Sequence, residues 1–196
     1  MRRRRWVPRV LLAGAAVGLI GAAPTERPEY HEARRVSAQI VQDTLALLVK
    51  ELGARGPAGA IEACSAVALD LATKHEQAGW RVRRVSRKVR NPADTPDAYE
   101  AGVLERFETL KATGGLGPDT EHVELVEAAG KTSLRYLRPI VIANPVCLTC
   151  HGRPEDLAPE VRARLEALYP RDEATGYRVG DLRGAVTITI PVAGAR

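Results

Sequence analysis

The sequence predicts an α+β fold in which helices flank an antiparallel β-sheet. Helical periodicity dominates the first part of the chain, and β-branched or alternating segments are gathered between and after the helices. The sequence contains no internal repeat and no low-complexity tract. After an apolar N-terminal segment, residues 24–196 are long enough to form one hydrophobic core, so we expect a single domain.

Residues 1–23 have the pattern of a secretory signal peptide. Arg2 to Arg5 and Arg9 precede an uncharged run of mostly Leu, Val, Ile, Ala and Gly, which ends in the small residues Gly21-Ala22-Ala23. This run is shorter than the roughly 20 residues that span a bilayer. We therefore expect cleavage near Ala23 and export to a bacterial periplasm, with membrane attachment only if the segment is not cleaved.

The basic character of the chain belongs to this N-terminal segment. The whole sequence has 29 Lys and Arg against 24 Asp and Glu, but residues 1–23 contain five arginines and no acid, which leaves 24 of each in residues 24–196. A domain without excess positive charge lacks the main feature of nucleic-acid-binding surfaces. We expect no nucleic-acid partner.

Two helices are predicted next. From Glu32 to Leu52 apolar residues recur at helical spacing, and Gly56-Pro57 ends the pattern. A second helix is expected from Ala58 to Gln77. Cys64 lies in the apolar stripe of this helix among several alanines, where a buried cysteine ordinarily behaves as a small hydrophobic residue.

The remaining segments complete the sheet and its flanking helices. Arg81 to Arg90 alternates partly between apolar and basic residues, as in a half-buried strand whose basic face is solvated. The other predicted elements are, in order, a helix over Asp97–Lys111, a hairpin of strands His122–Val126 and Thr132–Leu137, a helix over Leu157–Leu168, and a strand over Ala185–Pro191, which has the strongest β-pattern in the chain.

The segment Cys147-Leu148-Thr149-Cys150-His151 precedes the last predicted helix. Two cysteines separated by two residues, with a histidine directly after the second, are typical of c-type haem attachment. In such a site each thiol adds to a haem vinyl group, and the adjacent imidazole binds the iron. A zinc half-site, a thioredoxin-type redox pair and a structural disulfide are the alternatives. A zinc site needs a second ligand pair and a redox pair needs a βαβ context, and the sequence predicts neither. We therefore predict one covalently attached haem c, with His151 as an iron ligand.

Composition limits the choice of a second axial ligand. Met1 is the only methionine and belongs to the predicted signal peptide, so a His/Met iron is excluded for the domain. The side chains left open are Cys64, His31, His75, His122 or a lysine, beside an unoccupied axial position. Cys64 is a candidate because iron binding deprotonates a thiol, and because three cysteines leave one without a partner once two are bound to haem.

Several motifs taken together resemble a known family. They are Arg84-x-Ser86-x-Lys88-x-Arg90-Asn91-Pro92, Pro96-Asp97, Tyr136, Pro139-Ile140, Cys147-Leu148-x-Cys150-His151-Gly152, Tyr169-Pro170-x-Asp172-x-Ala174-x-Gly176-Tyr177 and Gly180-Asp181-x-Arg183-Gly184-Ala185. Over roughly residues 30–192 this set is similar to the single-haem c-type domain with a PAS-like fold, the Tll0287-like family. Ala93-Asp94 departs from the asparagine-containing segment that is usual there, away from the predicted iron ligands.

The resemblance implies a PAS-like antiparallel sheet flanked by helices. It also implies covalent haem at Cys147 and Cys150, with His151 as the proximal iron ligand and Cys64 as the distal one.

These inferences predict an exported monohaem c-type cytochrome. An anionic thiolate stabilises ferric iron, so we expect low-potential electron transfer, or redox or ligand sensing, in preference to catalysis, with a separate redox or signalling partner protein. One or two of the cations in Arg81–Arg90 are candidates for binding haem propionates. The alternative is a peroxidase-like haem enzyme with an open or exchangeable distal site, which needs a general base over the iron.

Overall fold

The computed structural model describes residues 23–75 and 79–192, apart from the side chains of residues 62–69, 71–73 and 75. Residues 1–22 of the predicted signal peptide lie outside the described residues. So do the expected end of the second helix at Gln77 and the side chains of Cys64 and His75.

The first helical element, α1, spans Pro28–His75 and is broken at Gly56. Gly56 has φ 67° and ψ −178°, a backbone conformation that glycine adopts without the steric cost a Cβ atom imposes. Pro57 follows it and begins the second segment, as proline does in the first turn of a helix. The predicted break between two helices is confirmed, although the first segment begins earlier than Glu32.

The sheet contains four antiparallel strands: β1 (Arg81–Val85), β2 (His122–Ala128), β3 (Lys131–Val141) and β4 (Leu182–Val192). Their spatial order is β1-β4-β3-β2. The predicted hairpin is confirmed as β2 and β3, and the segment with the strongest β-pattern forms β4, an interior strand buried on both faces. Together with the helices, this confirms the predicted α+β fold with an antiparallel sheet.

Helices cover both faces of the sheet. The helix α2 (Ala98–Ala112) packs Val103, Leu104 and Phe107 on the face that contains Val85, Leu137 and Ala185. The first segment of α1 packs on the other face. Successive side chains of a strand point to opposite faces, so this face contains the alternate residues of each strand. That core comprises Tyr30, Ala33, Val36 and Ile40 of α1 with Val82, Leu134, Tyr136, Val186, Ile188, Ile190 and Val192 of the strands.

Two short helices complete the domain beyond the strand ends. They are α3 (Leu148–His151), which contains the second half of the cysteine motif, and α4 (Pro159–Leu168). Val161 and Leu165 of α4 pack with Leu157 against Ile61, in the second segment of α1. In the described part of the chain, no helix is sufficiently long and apolar to cross a membrane.

Candidate haem-attachment site

The cysteine motif begins in a single turn of 3-10 helix and continues into α3. The turn spans Pro145–Cys147, and the side chain of Asn144 accepts a hydrogen bond from the Val146 N–H at its start (2.9 Å). Gly152 ends α3 by donating its N–H to the Leu148 carbonyl at 2.8 Å. A Cβ atom on Gly152 would lie 2.6 Å from that same carbonyl oxygen, so the close turn after His151 requires glycine.

The motif lines a large cleft between the two segments of α1 and the ends of β1, β3 and β4. The cleft contains about 1460 Å³ of space free of protein atoms, including its open mouth. Ile40 and Leu48 line it from the first segment of α1 and Ile61 from the second, because the break at Gly56 lets both segments face the same space. The resulting wall is largely apolar, as is usual for small-molecule and cofactor sites.

Cys147, Cys150 and His151 all line this cleft, so the structure brings the three predicted motif residues to one site. The two cysteines are not joined by a disulfide. Cys147 packs beside Ile142 and Tyr177, whereas Cys150 packs beside Ile61 and the α4 cluster. Among the described residues, no group of three or more His, Cys, Asp or Glu side chains is placed to hold a metal ion, so the zinc alternative finds no second ligand pair there.

One ring nitrogen of His151 contacts the protein, and the other has no hydrogen-bond partner among the described residues. Its Nδ1 lies 2.6 Å from the carbonyl oxygen of Ala174. A carbonyl oxygen only accepts hydrogen bonds, so Nδ1 carries the proton, and in the neutral ring Nε2 keeps its lone pair. Burial lowers the pKa of His151 well below its ordinary value, and the charges of Arg183 and Arg90 lower it further. The imidazole is therefore neutral and able to bind a metal through Nε2.

The loop that contains Ala174 also holds the backbone carbonyls of His151 and Gly152. The Tyr177 N–H donates to the His151 carbonyl (2.9 Å), and the Gly176 N–H donates to the Gly152 carbonyl (2.7 Å). The Tyr177 ring meets the imidazole edge to face, with ring centres 6.1 Å apart. Together with the hydrogen bond to Ala174, these contacts from one loop orient His151.

Two arginines without a carboxylate partner line the cleft. Within the described part of the chain, no carboxylate lies within ion-pair distance of Arg84 on β1 or Arg183 on β4. Arg183 donates to Ser86 Oγ at 2.7 Å, but its buried Nε has no hydrogen-bond partner. Burial also raises the pKa of the neighbouring Asp94, against the lowering effect of both arginines. A buried guanidinium without a direct ion pair is costly, so Arg183, with the half-buried Arg84 near it, indicates a site for an anionic group even though Asp94 lies nearby.

The cations of Arg81–Arg90 have different positions. Arg84 and Arg90 line the cleft, whereas Arg83 forms an ion pair with Glu100 of α2 on the opposite face of the sheet. The side chains of Arg81 and Arg87 are exposed. The expectation of a solvated basic strand face therefore holds for only part of this segment. The strand β1 is also shorter than the predicted segment, because it ends at Val85 instead of Arg90.

Two of the histidines considered as axial ligands lie elsewhere. His122 on β2 contacts the Tyr99 hydroxyl at 2.9 Å, and His31 packs edge to face on Tyr30. Neither is among the residues that line the cleft. Sequence reasoning did not assign a role to Arg183 or Ala174. The Gly180-Asp181-x-Arg183-Gly184 motif was the available signal for Arg183, but Ala174 contributes a backbone carbonyl, which any residue type supplies.

Comparisons with known proteins agree with this architecture. The Tll0287-like family model matches residues 24–191. Among solved structures, the chain is similar to the crystal structure of the cyanobacterial heme-protein Tll0287, with a TM-score of 0.66 and 27% sequence identity. The similarity covers 87% of this chain and 99% of that chain. A search of curated proteins finds no match.

Proposed function

This chain belongs to the Tll0287-like family, and from that membership we propose that it is an exported, single-haem c-type protein for low-potential electron transfer or for redox or ligand sensing. The observation that carries the proposal is the position of His151. Its neutral imidazole, held through Nδ1 by Ala174, lies in the wall of a large cleft beside both cysteines of the motif. The solved relative is described as a heme-protein.

The residues of the cleft fit a covalently bound haem. Cys147 and Cys150 would form thioethers, and His151 Nε2 would be the proximal iron ligand. Arg84 and Arg183 form no direct ion pair among the described residues, although Asp94 lies near both, and would bind the propionates. The apolar wall from α1 would cover the macrocycle. When bound, such a haem supplies a one-electron redox couple, and we propose that the surrounding domain is PAS-like.

Cys64 is the proposed distal ligand. Its side chain lies outside the described residues, but its backbone belongs to α1, one helical turn after Ile61 in the wall of the cleft. A thiolate there would stabilise ferric iron and lower the reduction potential. That property favours low-potential electron transfer or sensing over high-potential electron transport.

Export is the proposed condition for haem attachment. Residues 1–23 would direct the chain to the bacterial periplasm and be removed, and attachment to the membrane would require that they remain. The physiological partner would be a separate redox or signalling protein. Nothing in the charge of residues 24–196 favours nucleic acid.

The first experiment measures covalent haem. The full chain is co-produced with a periplasmic haem-attachment system, denatured, and examined by mass spectrometry and by the absorbance of its pyridine complex. We expect one haem per chain in the wild type, none retained in the Cys147→Ser/Cys150→Ser variant, and one in the Cys64→Ser control. A wild-type chain that retains no haem after denaturation would contradict the proposal.

The second experiment identifies the distal ligand. Ferric wild-type protein should give the low-spin electron paramagnetic resonance spectrum of a His/thiolate iron, and Cys64→Ala should lose it. His31→Ala and His122→Ala are matched controls, and both should keep it. A high-spin ferric wild type that turns over peroxide would instead favour a peroxidase-like enzyme with an open distal site.

A further inference from the structure

Arg90 lies at the centre of the hydrogen bonds behind His151. Its Nη2 donates to the carbonyl oxygen of Cys150 at 2.6 Å, and its Nε donates to Asp172 Oδ2 at 3.0 Å. Both side chains are largely buried, with exposed fractions of 12% for Arg90 and 10% for Asp172. One guanidinium therefore connects the segment after β1, the cysteine motif and the loop that orients the histidine.

The Ala174 carbonyl is shared between two donors. It accepts from His151 Nδ1 at 2.6 Å and from Arg90 Nη2 at 3.3 Å. The N–H of the same residue donates to Asp172 Oδ1 at 2.8 Å. Arg90, Asp172 and Ala174 thus form a closed ring of hydrogen bonds, and His151 is attached to it through the Ala174 carbonyl.

Because Arg90 and His151 share the Ala174 carbonyl, Arg90 affects how strongly the His151 ring can donate electrons to a bound metal. A metal-binding imidazole that gives its second N–H to a good acceptor becomes more basic and a stronger ligand. A carbonyl that already accepts from a cation offers less electron density to the N–H of His151. The charge of Arg90 therefore weakens the effect of Ala174 on the ring, while its hydrogen bonds keep the carbonyl in place.

We propose that Arg90 is a positioning residue that tunes His151 as an iron ligand by sharing the Ala174 carbonyl with it. This role rests on the proposed function, because it requires that His151 bind haem iron. Removal of Arg90 should strengthen the hydrogen bond from Nδ1, increase electron donation to the iron and favour the ferric state. Loss of a nearby positive charge acts in the same direction.

The test uses Arg90→Gln in the haem-loaded, full-length protein. In a spectroelectrochemical titration we expect the ferric to ferrous ratio at a fixed potential to rise about tenfold, which corresponds to a reduction potential about 59 mV lower for one electron. A proton NMR spectrum of the reduced protein should show the Nδ1–H signal of His151 shifted downfield, because its hydrogen bond is stronger.

Arg84→Gln is the matched charge control. It removes an equal charge from the same cleft, but Arg84 makes no hydrogen bond to Ala174, so the Nδ1–H signal of His151 should remain in place. Arg90→Lys keeps the charge without the planar fork that reaches Asp172, Cys150 and Ala174 together. If Arg90→Gln does not fold, Arg90→Lys should still show a smaller downfield shift.

Two outcomes would overturn the inference. One is an unchanged Nδ1–H signal in both Arg90 variants, and the other is an equal shift in Arg84→Gln, since charge alone would then explain the effect. A wild-type chain without covalent haem would instead refute the proposed function, so the two failures are distinguishable.

Discussion

The Glu100 carboxylate of α2 accepts a hydrogen bond from Thr187 Oγ1 of β4, 3.0 Å away, and both residues are almost fully buried. The same carboxylate pairs with Arg83 at 3.0 Å and with Arg135 at 3.3 Å. Neighbouring residues of a strand point to opposite faces, so the pairing of Arg83 with α2 places Arg84 on the face of the cleft. The buried ion network on one side of the sheet thereby sets the orientation of Arg84, which lies in the cleft on the other side.

Glu100→Gln should destabilise the protein strongly. The substitution leaves the largely buried Arg83 without its ion-pair partner and Arg135 paired with Asp97 alone, and breaking a buried pair in this way costs about 3 kcal/mol or more. Urea denaturation of the haem-loaded protein measures the free energy of unfolding. Glu105→Gln, at an exposed position on the same helix, is the control and should change it by less than about 0.5 kcal/mol. Equal effects of the two substitutions would contradict the assigned network.

Gly184→Ala should also be destabilising, for a steric reason. A Cβ atom at position 184 would lie 2.2 Å from the Val85 carbonyl oxygen and 3.3 Å from Ser86 Cβ, so β1 and β4 would have to separate at the rim of the cleft. Overpacking of this kind costs about 1–3 kcal/mol.

The control for Gly184→Ala is another glycine to alanine change. Gly102 lies within α2, and a Cβ atom there would have no neighbour within 4 Å. Alanine is the better helix former, so Gly102→Ala should raise the free energy of unfolding by about 0.5–1 kcal/mol. The two substitutions are expected to have opposite signs in the same denaturation assay, and a shared sign would argue against the close approach of the strands.

Arg84→Gln should lower the free energy of unfolding of the haem-loaded protein if Arg84 binds a propionate. Loss of a hydrogen bond to a charged group costs about 1.5–3 kcal/mol when the partner stays buried. Arg87→Gln is the control, because Arg87 is exposed and lies outside the cleft. The unfolding free energies of both variants are measured with covalent haem present. If the two variants have the same unfolding free energy, Arg84 does not bind a propionate.

The fold was largely predictable because its elements have strong local patterns. Gly56-Pro57 marked the break in α1, and the β-branched run after Gly184 marked the central strand. The end of β3 was predicted too early, at Leu137, because Pro139 cannot donate a hydrogen bond to a neighbouring strand. In the structure β2 begins at His122, opposite Leu137, so β3 continues past it to Val141 paired with β4 alone. Pro139 therefore has no strand on its other side that needs a hydrogen bond.

The site was fully predictable only where its residues are adjacent in sequence, although Arg84 comes from the segment that was expected to bind propionates. Cys147, Cys150 and His151 form a local motif, so the sequence alone predicts their chemistry. Arg183 and Asp172 reach the same place through strand pairing and loop contacts, and no spacing rule connects them to the motif. Their contribution depends on tertiary geometry, which the sequence pattern of a single chain does not specify.

The ion pair between Asp181 and Lys111 should make the stability of the protein depend on pH in the acidic range. Asp181 Oδ1 accepts from Lys111 Nζ at 2.7 Å, and Oδ2 accepts from the Arg178 N–H at 2.7 Å. Burial of Asp181 opposes ionisation, but these hydrogen bonds and the Lys111 charge outweigh it and hold the pKa below its ordinary value. The Asp181 carbonyl also accepts from the Ile142 N–H at 2.9 Å, so the pair secures the backbone beside the cleft.

A carboxyl whose pKa is lower in the folded state stabilises the protein at pH values above its unfolded pKa of about 3.9 and loses that contribution as the pH falls through its folded pKa. Both side chains are partly exposed, 35% for Lys111 and 28% for Asp181, so the coupling should be only about 0.5–1 kcal/mol. A double-mutant cycle of Asp181→Asn and Lys111→Met, measured by urea denaturation, isolates it from every other titrating group. We expect a constant coupling energy above about pH 5 that disappears as Asp181 is protonated below about pH 4. A coupling energy that stays unchanged down to about pH 2.5 would show that the two side chains interact through packing instead of charge.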